Sequence, residues 1–194
     1  MLKNVLLTVL ALAIAIGVGG GSVWYALDAQ SGVGATRIGP WTAFPDIGTP
    51  EADPYTQARI AREGVLALGR AEGLSFVADK DSSGAALRRE CRYSIEGGFP
   101  TARFFTLYAG DASLDLIETG KPRRAVLQSR QLLRRPDDTA SISTGSHPLP
   151  GNWLAVTGSG PLYFVLSFYD TPIAGSTGLS DVRLPEIRKA GCDA

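Results

Sequence analysis

The stretch PGNWLAVTGSGPLYFVLSFYDTP, residues 150–172, decides how the rest of the chain must fold. Glycine and proline bracket it and interrupt it at Gly158, Gly160 and Pro161, and the runs between are rich in leucine, valine and aromatic residues. That is strand composition, and Leu162 to Tyr169 is apolar enough to be buried on both faces. The stretch predicts a hairpin: Trp153 to Val156, a turn over Gly158-Ser159-Gly160-Pro161, then Leu162 to Tyr169 as the central strand of a sheet.

Working outward, the apolar period is two. Leu74 to Asp79 reads as a short strand and Asp81-Ser82-Ser83-Gly84 as a turn. From Leu87 to Ile95, Leu87, Cys91, Tyr93 and Ile95 point inward while Arg88, Glu90, Arg92 and Ser94 point outward. Arg89 breaks this pattern and is placed at the frayed start of the strand, with a buried ion pair as the alternative. After Gly97-Gly98-Phe99-Pro100, a second central strand is expected over Ala102 to Ala109, with Phe104, Phe105, Leu107 and Tyr108 buried on both faces. Leu114 to Glu118 is a weaker strand. Ala125 to Leu133 and Ala140 to Thr144 are joined across a predicted hairpin turn, Arg134-Arg135-Pro136-Asp137-Asp138. Short strands at this spacing, in a chain with 44% hydrophobic residues, 23 glycines and 12 prolines, predict a mainly β fold. The architecture expected is an antiparallel β-sandwich with jelly-roll-like connections.

One amphipathic helix is expected in the soluble part. Asp53 caps it, Pro54 opens it, and Ala58, Ala61, Val65 and Leu68 form its inward face before Gly69. Upstream, residues 28–53 carry glycine and proline without apolar periodicity, a linker becoming an extended lead-in on which Trp41 and Phe44 dock. The domain division is thus 1–27 for an N-terminal segment, 28–40 for a linker and 41–194 for the sandwich.

The N-terminal segment carries an uncharged apolar run from Val5 to Leu27. As a helix it spans roughly 34 Å, enough for a hydrocarbon core of about 30 Å. It reads as a retained transmembrane anchor, because the run continues past Gly19 to Ser22 into an interfacial pair, Trp24 and Tyr25. The alternative is a signal cleaved near those glycines. Lys3 and the terminal amine on one side, against Arg37 alone on the other, bias the N-terminus inward, so the expectation is a single pass through a bacterial inner membrane with the C-terminal domain in the periplasm. Ala13, Gly17 and Gly21 recur at spacing four, a face on which the helix could pair with itself or with another membrane protein.

Several segments together resemble a known family: DIGTPEADPYTQAR at 46–59, ARFFTLY at 102–108, Ser129-Arg130, GNWL at 151–154 and VLSFYD at 165–170. They resemble the bacterial family catalogued as domain of unknown function 1214, over roughly residues 38 to 190. The resemblance implies a β-sandwich fold, and the short form with one apolar segment looks like an exported or membrane branch of that family. The family often occurs beside a companion domain of unknown function, 1254, which this chain is too short to contain. Its larger members often carry a basic residue where this chain has Ser167. No motif of the family is a catalytic signature.

The chemistry expected is correspondingly sparse. Nineteen basic residues balance nineteen acidic ones, so no global field draws the chain to nucleic acid. With one histidine, His147, and no CxxC or HExxH pattern, neither a metal site nor a cofactor is expected. A hydrolase would have to use His147 with Ser146 or Ser159, or carboxylates such as Asp111 and Asp170, yet no Gly-x-Ser-x-Gly elbow is present. Cys91 and Cys192, the only cysteines, are expected to form a disulfide if the domain is exported, pinning Val182, Leu184 and Ile187 onto the strand of Cys91. A buried thiol and a frayed terminal one are the alternative. Lys121, Arg123, Arg124, Arg130, Arg134 and Arg135 form a basic run without an intervening acid. It is either a solvated face or a patch for an anionic ligand, lipid headgroup or acidic partner. The leading expectation is a non-catalytic accessory or ligand-binding module whose helix sits in the lipid bilayer. A hydrolase acting on a small envelope substrate and a small subunit of a larger membrane complex are the alternatives.

Overall fold

The computed structural model describes residues 2–28, 34–50, 52–63, 68, 72–120, 125–175 and 182–192. The first element, α1 (Leu2–Asp28), is a single apolar helix, and its stretch Leu2–Tyr25, of mean hydropathy 2.2, is exposed along its length. By length and composition it could cross a membrane. The second helix, α2 (Pro54–Glu63), begins where the capping signal placed it: Asp53 accepts hydrogen bonds from the Thr56 amide at 3.2 Å and its hydroxyl at 2.6 Å. Its inward face differs from the expected one. Ala58 and Ala61 are exposed, Thr56 is buried and Ile60 half-buried, because a methyl group gains less by burial than isoleucine does. Of the remaining predicted face, Leu68 is half-buried and Val65 lies outside the described residues.

The body is a two-sheet sandwich. One sheet has six strands: β1 (Thr36–Ile38), β2 (Trp41–Ala43), β3 (Gly73–Ala78), β5 (Phe104–Gly110), β6 (Val126–Gln128) and β9 (Tyr163–Tyr169), in the order β1-β2-β3-β9-β5-β6 and antiparallel throughout. The other has four: β4 (Cys91–Gly97), β7 (Ala140–Gly145), β8 (Asn152–Ala155) and β10 (Glu186–Cys192), in the order β10-β4-β7-β8. Here β7 and β8 run parallel, returned by the loop 146–151, which makes this sheet mixed. The sheets meet through one apolar core, with Tyr93 of β4 edge-on to Phe164 of β9 at 6.0 Å. The outermost strand β1 lies inside the stretch read as a linker. Trp41 does more than dock: it is fully buried and donates from Nε1 to the Pro185 carbonyl at 2.7 Å, joining the two sheets.

As expected, β9 is the central strand, flanked by β3 and β5, and Val165, Leu166, Ser167 and Phe168 are successively buried. The second central strand, β5, buries only one face fully; Phe104, Thr106 and Tyr108 on the other are half-buried. The alternation Leu87, Cys91, Tyr93, Ile95 is inward as read, but the ladder starts at Cys91, and Arg89 before it is ordered, donating from Nε to the Pro161 carbonyl at 3.0 Å.

Both predicted hairpins are corrected. Strands β8 and β9 belong to different sheets, and the segment between them is held by the lead-in to β4: the Arg89 amide donates to the Gly160 carbonyl at 3.0 Å and the Leu162 amide to Leu87 at 3.2 Å. Pro161 has no amide to close a two-residue turn back onto β8. Likewise Arg134 to Asp138 joins β6 in one sheet to β7 in the other. The expected strand Ala125 to Leu133 shortens to β6, followed by a 3-10 turn at Ser129–Gln131, and Leu114 to Glu118 makes one isolated bridge, Gly110 with Leu116.

Cys91 and Cys192 are joined in a disulfide and face each other in the β4–β10 register. As expected, this holds β10 on the sheet with Ile187 fully buried; Ile187 is fixed further by its carbonyl accepting from Ser82 N–H at 2.8 Å and its amide donating to Ser82 Oγ at 2.9 Å. The bridge closes a loop of 101 residues. On the loop-entropy model, Cys192→Ser should lower unfolding free energy by about 4 to 5 kcal/mol, read from urea unfolding of the oxidised and reduced protein.

The adjoining turn sets an acid response. Asp81 is buried, and burial pushes its carboxyl up, but hydrogen bonds from the Ser83 hydroxyl and the Ala85, Ser83 and Gly84 amides outweigh this and hold it below its ordinary value of 3.8. Because the folded value lies below the unfolded one, the ionised group stabilises the fold above the ordinary aspartate range, and this is lost as pH falls through the lowered value. The urea midpoint should therefore be flat above about pH 5 and fall below about pH 4, and Asp81→Asn should lower it at pH 7 and weaken that acid dependence.

Candidate functional site

The groups from which a hydrolase could be built lie apart. His147 is exposed on the loop 146–151, its Nδ1 2.9 Å from the hydroxyl of its own neighbour Ser146, and Ser159 is exposed. In the β5–β9 ladder Gly110 faces Tyr163 and Phe104 faces Tyr169. Asp111 and Asp170 therefore stand at opposite ends of a seven-residue strand, roughly 20 Å apart. Asp111 is used locally, accepting from the Ser113 and Asp115 amides, and Asp170 lies 3.7 Å from Arg103. Among the described residues no group of three histidine, cysteine, aspartate or glutamate side chains could hold a metal ion.

Basic residues do converge at one end of the sandwich. There a cavity of about 250 Å³ is bounded by the β4–β5 connection (Phe99, Pro100, Thr101, Ala102, Arg103), the β6–β7 connection (Ser129, Arg130, Arg134, Asp138) and Phe105. Its floor is aromatic: the Phe99 and Phe105 rings stack at 4.4 Å, 12° from coplanar. Each wall is pinned through the backbone. The Arg103 amide donates to the carbonyls of Tyr169 and Asp170 at 3.2 and 3.1 Å, and the Thr171 hydroxyl to the Thr101 carbonyl at 2.7 Å. The Phe105 amide donates to Ser129 Oγ at 3.1 Å, seating the turn that carries Arg130 beside the start of β5.

Arg134 has a less exposed side chain than Arg103, 30% against 72%. Its guanidinium lies 5.8 Å from the Phe105 ring centroid, and its Nη1 donates to the Asp138 carboxylate at 2.8 Å. Arg130 makes no ion pair among the described residues. Among the described residues the lining therefore carries three positive groups against one negative, with Asp170 beside Arg103. Arg135 faces elsewhere: it helps draw the Glu96 carboxyl down, behind the hydroxyls of Ser94 and Ser141, which lower it most and outweigh burial. Lys121, Arg123 and Arg124 lie outside the described residues. The basic run thus brings Arg130 and Arg134 to the cavity, and Arg103, which belongs to no charge run, completes it. The available signal was its place in ARFFTLY beside the strand start. On α1, Gly17 and Gly21 leave open faces, with nothing within 4 Å of an added Cβ.

The crossover carrying Arg134 is held by a buried side chain of the four-stranded sheet. Asn152, buried at the start of β8, accepts from the Leu133 amide at 2.7 Å and donates to the carbonyls of Leu133 at 2.8 Å and Ser141 at 3.0 Å.

A family model described as protein of unknown function (DUF1214) matches residues 72–173, more than half of the 194-residue chain and containing the whole cavity. Among solved structures, the VPA0106 protein from Vibrio parahaemolyticus is similar, with a TM-score of 0.58 and 20% identity, over 72% of this chain and 36% of that one. An uncharacterised protein from Burkholderia cenocepacia has a TM-score of 0.41 and 18% identity, over 75% of this chain and 44% of that one. The chain spans about a third of the first of these proteins, and the likeness is one of fold. No curated protein matches the chain.

Asn152→Ala should lower stability by about 2 to 3 kcal/mol in urea unfolding, since three hydrogen bonds go and the Leu133 groups lose their partner. Ser146→Ala, which removes only the hydroxyl beside His147, should change it by less than about 0.5 kcal/mol.

Proposed function

Because the chain belongs to the DUF1214 family of proteins of unknown function, we infer its role from its own physical features: it is a non-catalytic ligand-binding module, tethered to a bacterial inner membrane by α1 with its sandwich in the periplasm. The observation that carries this is an exposed apolar helix, Leu2–Tyr25, on a sandwich whose last strand is held by a disulfide. An apolar surface of that size is stable in water only if covered, and lipid covers it at full length. A disulfide persists in oxidising compartments, which favours the periplasmic side. The arginine-lined cavity supplies the ligand-facing end. Its described lining contains neither His147 nor a serine paired with a base, so the hydrolase alternative gains no support from it. Gly17 and Gly21, one turn apart and open, favour a second reading in which the helix also pairs with a membrane protein or with its own copy.

The full chain should remain in the membrane pellet after an alkaline carbonate wash, and deletion of residues 2–28 should release it. A C-terminal alkaline phosphatase fusion should be active and a green fluorescent fusion dark. A mature N-terminus near Ser22 or Val23 would overturn the anchor, and a bright fluorescent fusion with an inactive phosphatase would overturn the orientation.

A further inference from the structure

The cavity's hydrogen-bond inventory narrows what it can hold. Among the described residues Arg134 uses a single nitrogen: Nη1 serves both the Asp138 carboxylate at 2.8 Å and the Asp138 carbonyl at 3.4 Å. Its Nε–Nη2 edge, the edge that fits a carboxylate with two parallel bonds, is bonded to no described residue. The group is also held in place, with a side chain 30% exposed, its Cζ 5.8 Å from the Phe105 ring centroid and its Nη1 on Asp138. Arg130 adds a second cation without a described carboxylate partner, and Arg103 a third, spaced 3.7 Å from Asp170. Most of the surface the cavity presents is polar, and Phe99, Pro100 and Ala102, each half-buried, supply apolar side chains to its lining. At about 250 Å³ the space is that of roughly eight waters, room for a carboxylate on a small body and below the range of drug-sized ligands.

We propose that this cavity binds a small organic acid, a carboxylate carried on a compact apolar body. The carboxylate sits against Arg134 and Arg130, and the body lies on Phe99, Pro100 and Ala102. Arg103 tunes the charge, since its neighbour Asp170 offsets it in part. A carboxylate with a small apolar body then meets both the cations and the smaller apolar part of the lining, whereas inorganic phosphate and acetate meet the cations alone. This assignment rests on the reading of the domain as a ligand-binding module.

The test is calorimetric titration of the full chain in non-ionic detergent with sodium benzoate, sodium acetate and inorganic phosphate at fixed ionic strength. Benzoate should bind saturably, about tenfold tighter than acetate, from ring surface removed from water. Arg130→Gln and Arg134→Gln should each weaken it by about tenfold or more. Arg135→Gln, away from the cavity, should leave it unchanged, with thermal unfolding of each variant checking that it folds. Arg130 is exposed, so its variant keeps the test decisive even if Arg134→Gln loses stability. Phosphate binding as tightly as benzoate would overturn the organic-acid assignment and leave a ligand-binding module standing. Benzoate binding unchanged in Arg130→Gln would overturn the location. No heat with any of the three probes would overturn both the site and the ligand-binding reading, whereas membrane fractionation reports on the tether alone.

Discussion

A strand buried on both faces constrains the entire topology. In β9, Val165 and Leu166 are neighbours in sequence and point to opposite sides, and both are buried, so β9 must be covered over each face and its buried main-chain groups must be paired along each edge. Its edges are taken by β3 and β5, both antiparallel to it and therefore parallel to each other in direction. Two strands running the same way cannot be joined by a hairpin, and the chain travels between them through β4 in the opposite sheet. Repeated along the chain, this produces crossings at β3–β4, β4–β5, β6–β7, β8–β9 and β9–β10. Each crossing leaves main-chain groups that need partners, and the structure supplies them from side chains: Ser129 for Phe105, Thr171 for Thr101, Asn152 for Leu133.

The cavity is a product of the same geometry. Its walls are the β4–β5 and β6–β7 crossings, and Asp170, at the start of the β9–β10 crossing, stands beside Arg103. Connections that gather at one end of a sandwich present side chains from distant parts of the sequence on a rigid base. Here the base is Phe105, which packs inward against Phe168 at 5.5 Å and outward beneath Phe99 and Arg134. Core packing and site geometry therefore meet in one residue.

What could be read in the sequence follows from how local each signal is. The apolar run of β9, the alternation from Leu87 to Ile95, the Asp53 cap and the long apolar helix depend on near neighbours, and each appears where its pattern lies. The cysteine pair was legible because two cysteines allow one bridge. Strand partners were not legible: Gly158 to Pro161 and Arg134 to Asp138 have turn composition, and a turn that reverses within a sheet uses the same residues as one that passes to the next. The site was half legible. Arg130 and Arg134 stood out as charge, whereas Arg103 is solitary in sequence and joins them only through the β5–β6 pairing. Asn152 was hidden for another reason, since its partners are main-chain atoms that any residue would provide.

The pairing of β10 with β4 also orders events in time. Cys192 follows Cys91 by 101 residues, so a ribosome working at about 5 to 20 residues per second delivers the second strand roughly 5 to 20 seconds after the first. Throughout that interval β4 has an open edge and its thiol has no native mate. The four-stranded sheet is complete only when nearly all of this sequence has been made, and the disulfide then records that completion as a covalent bond.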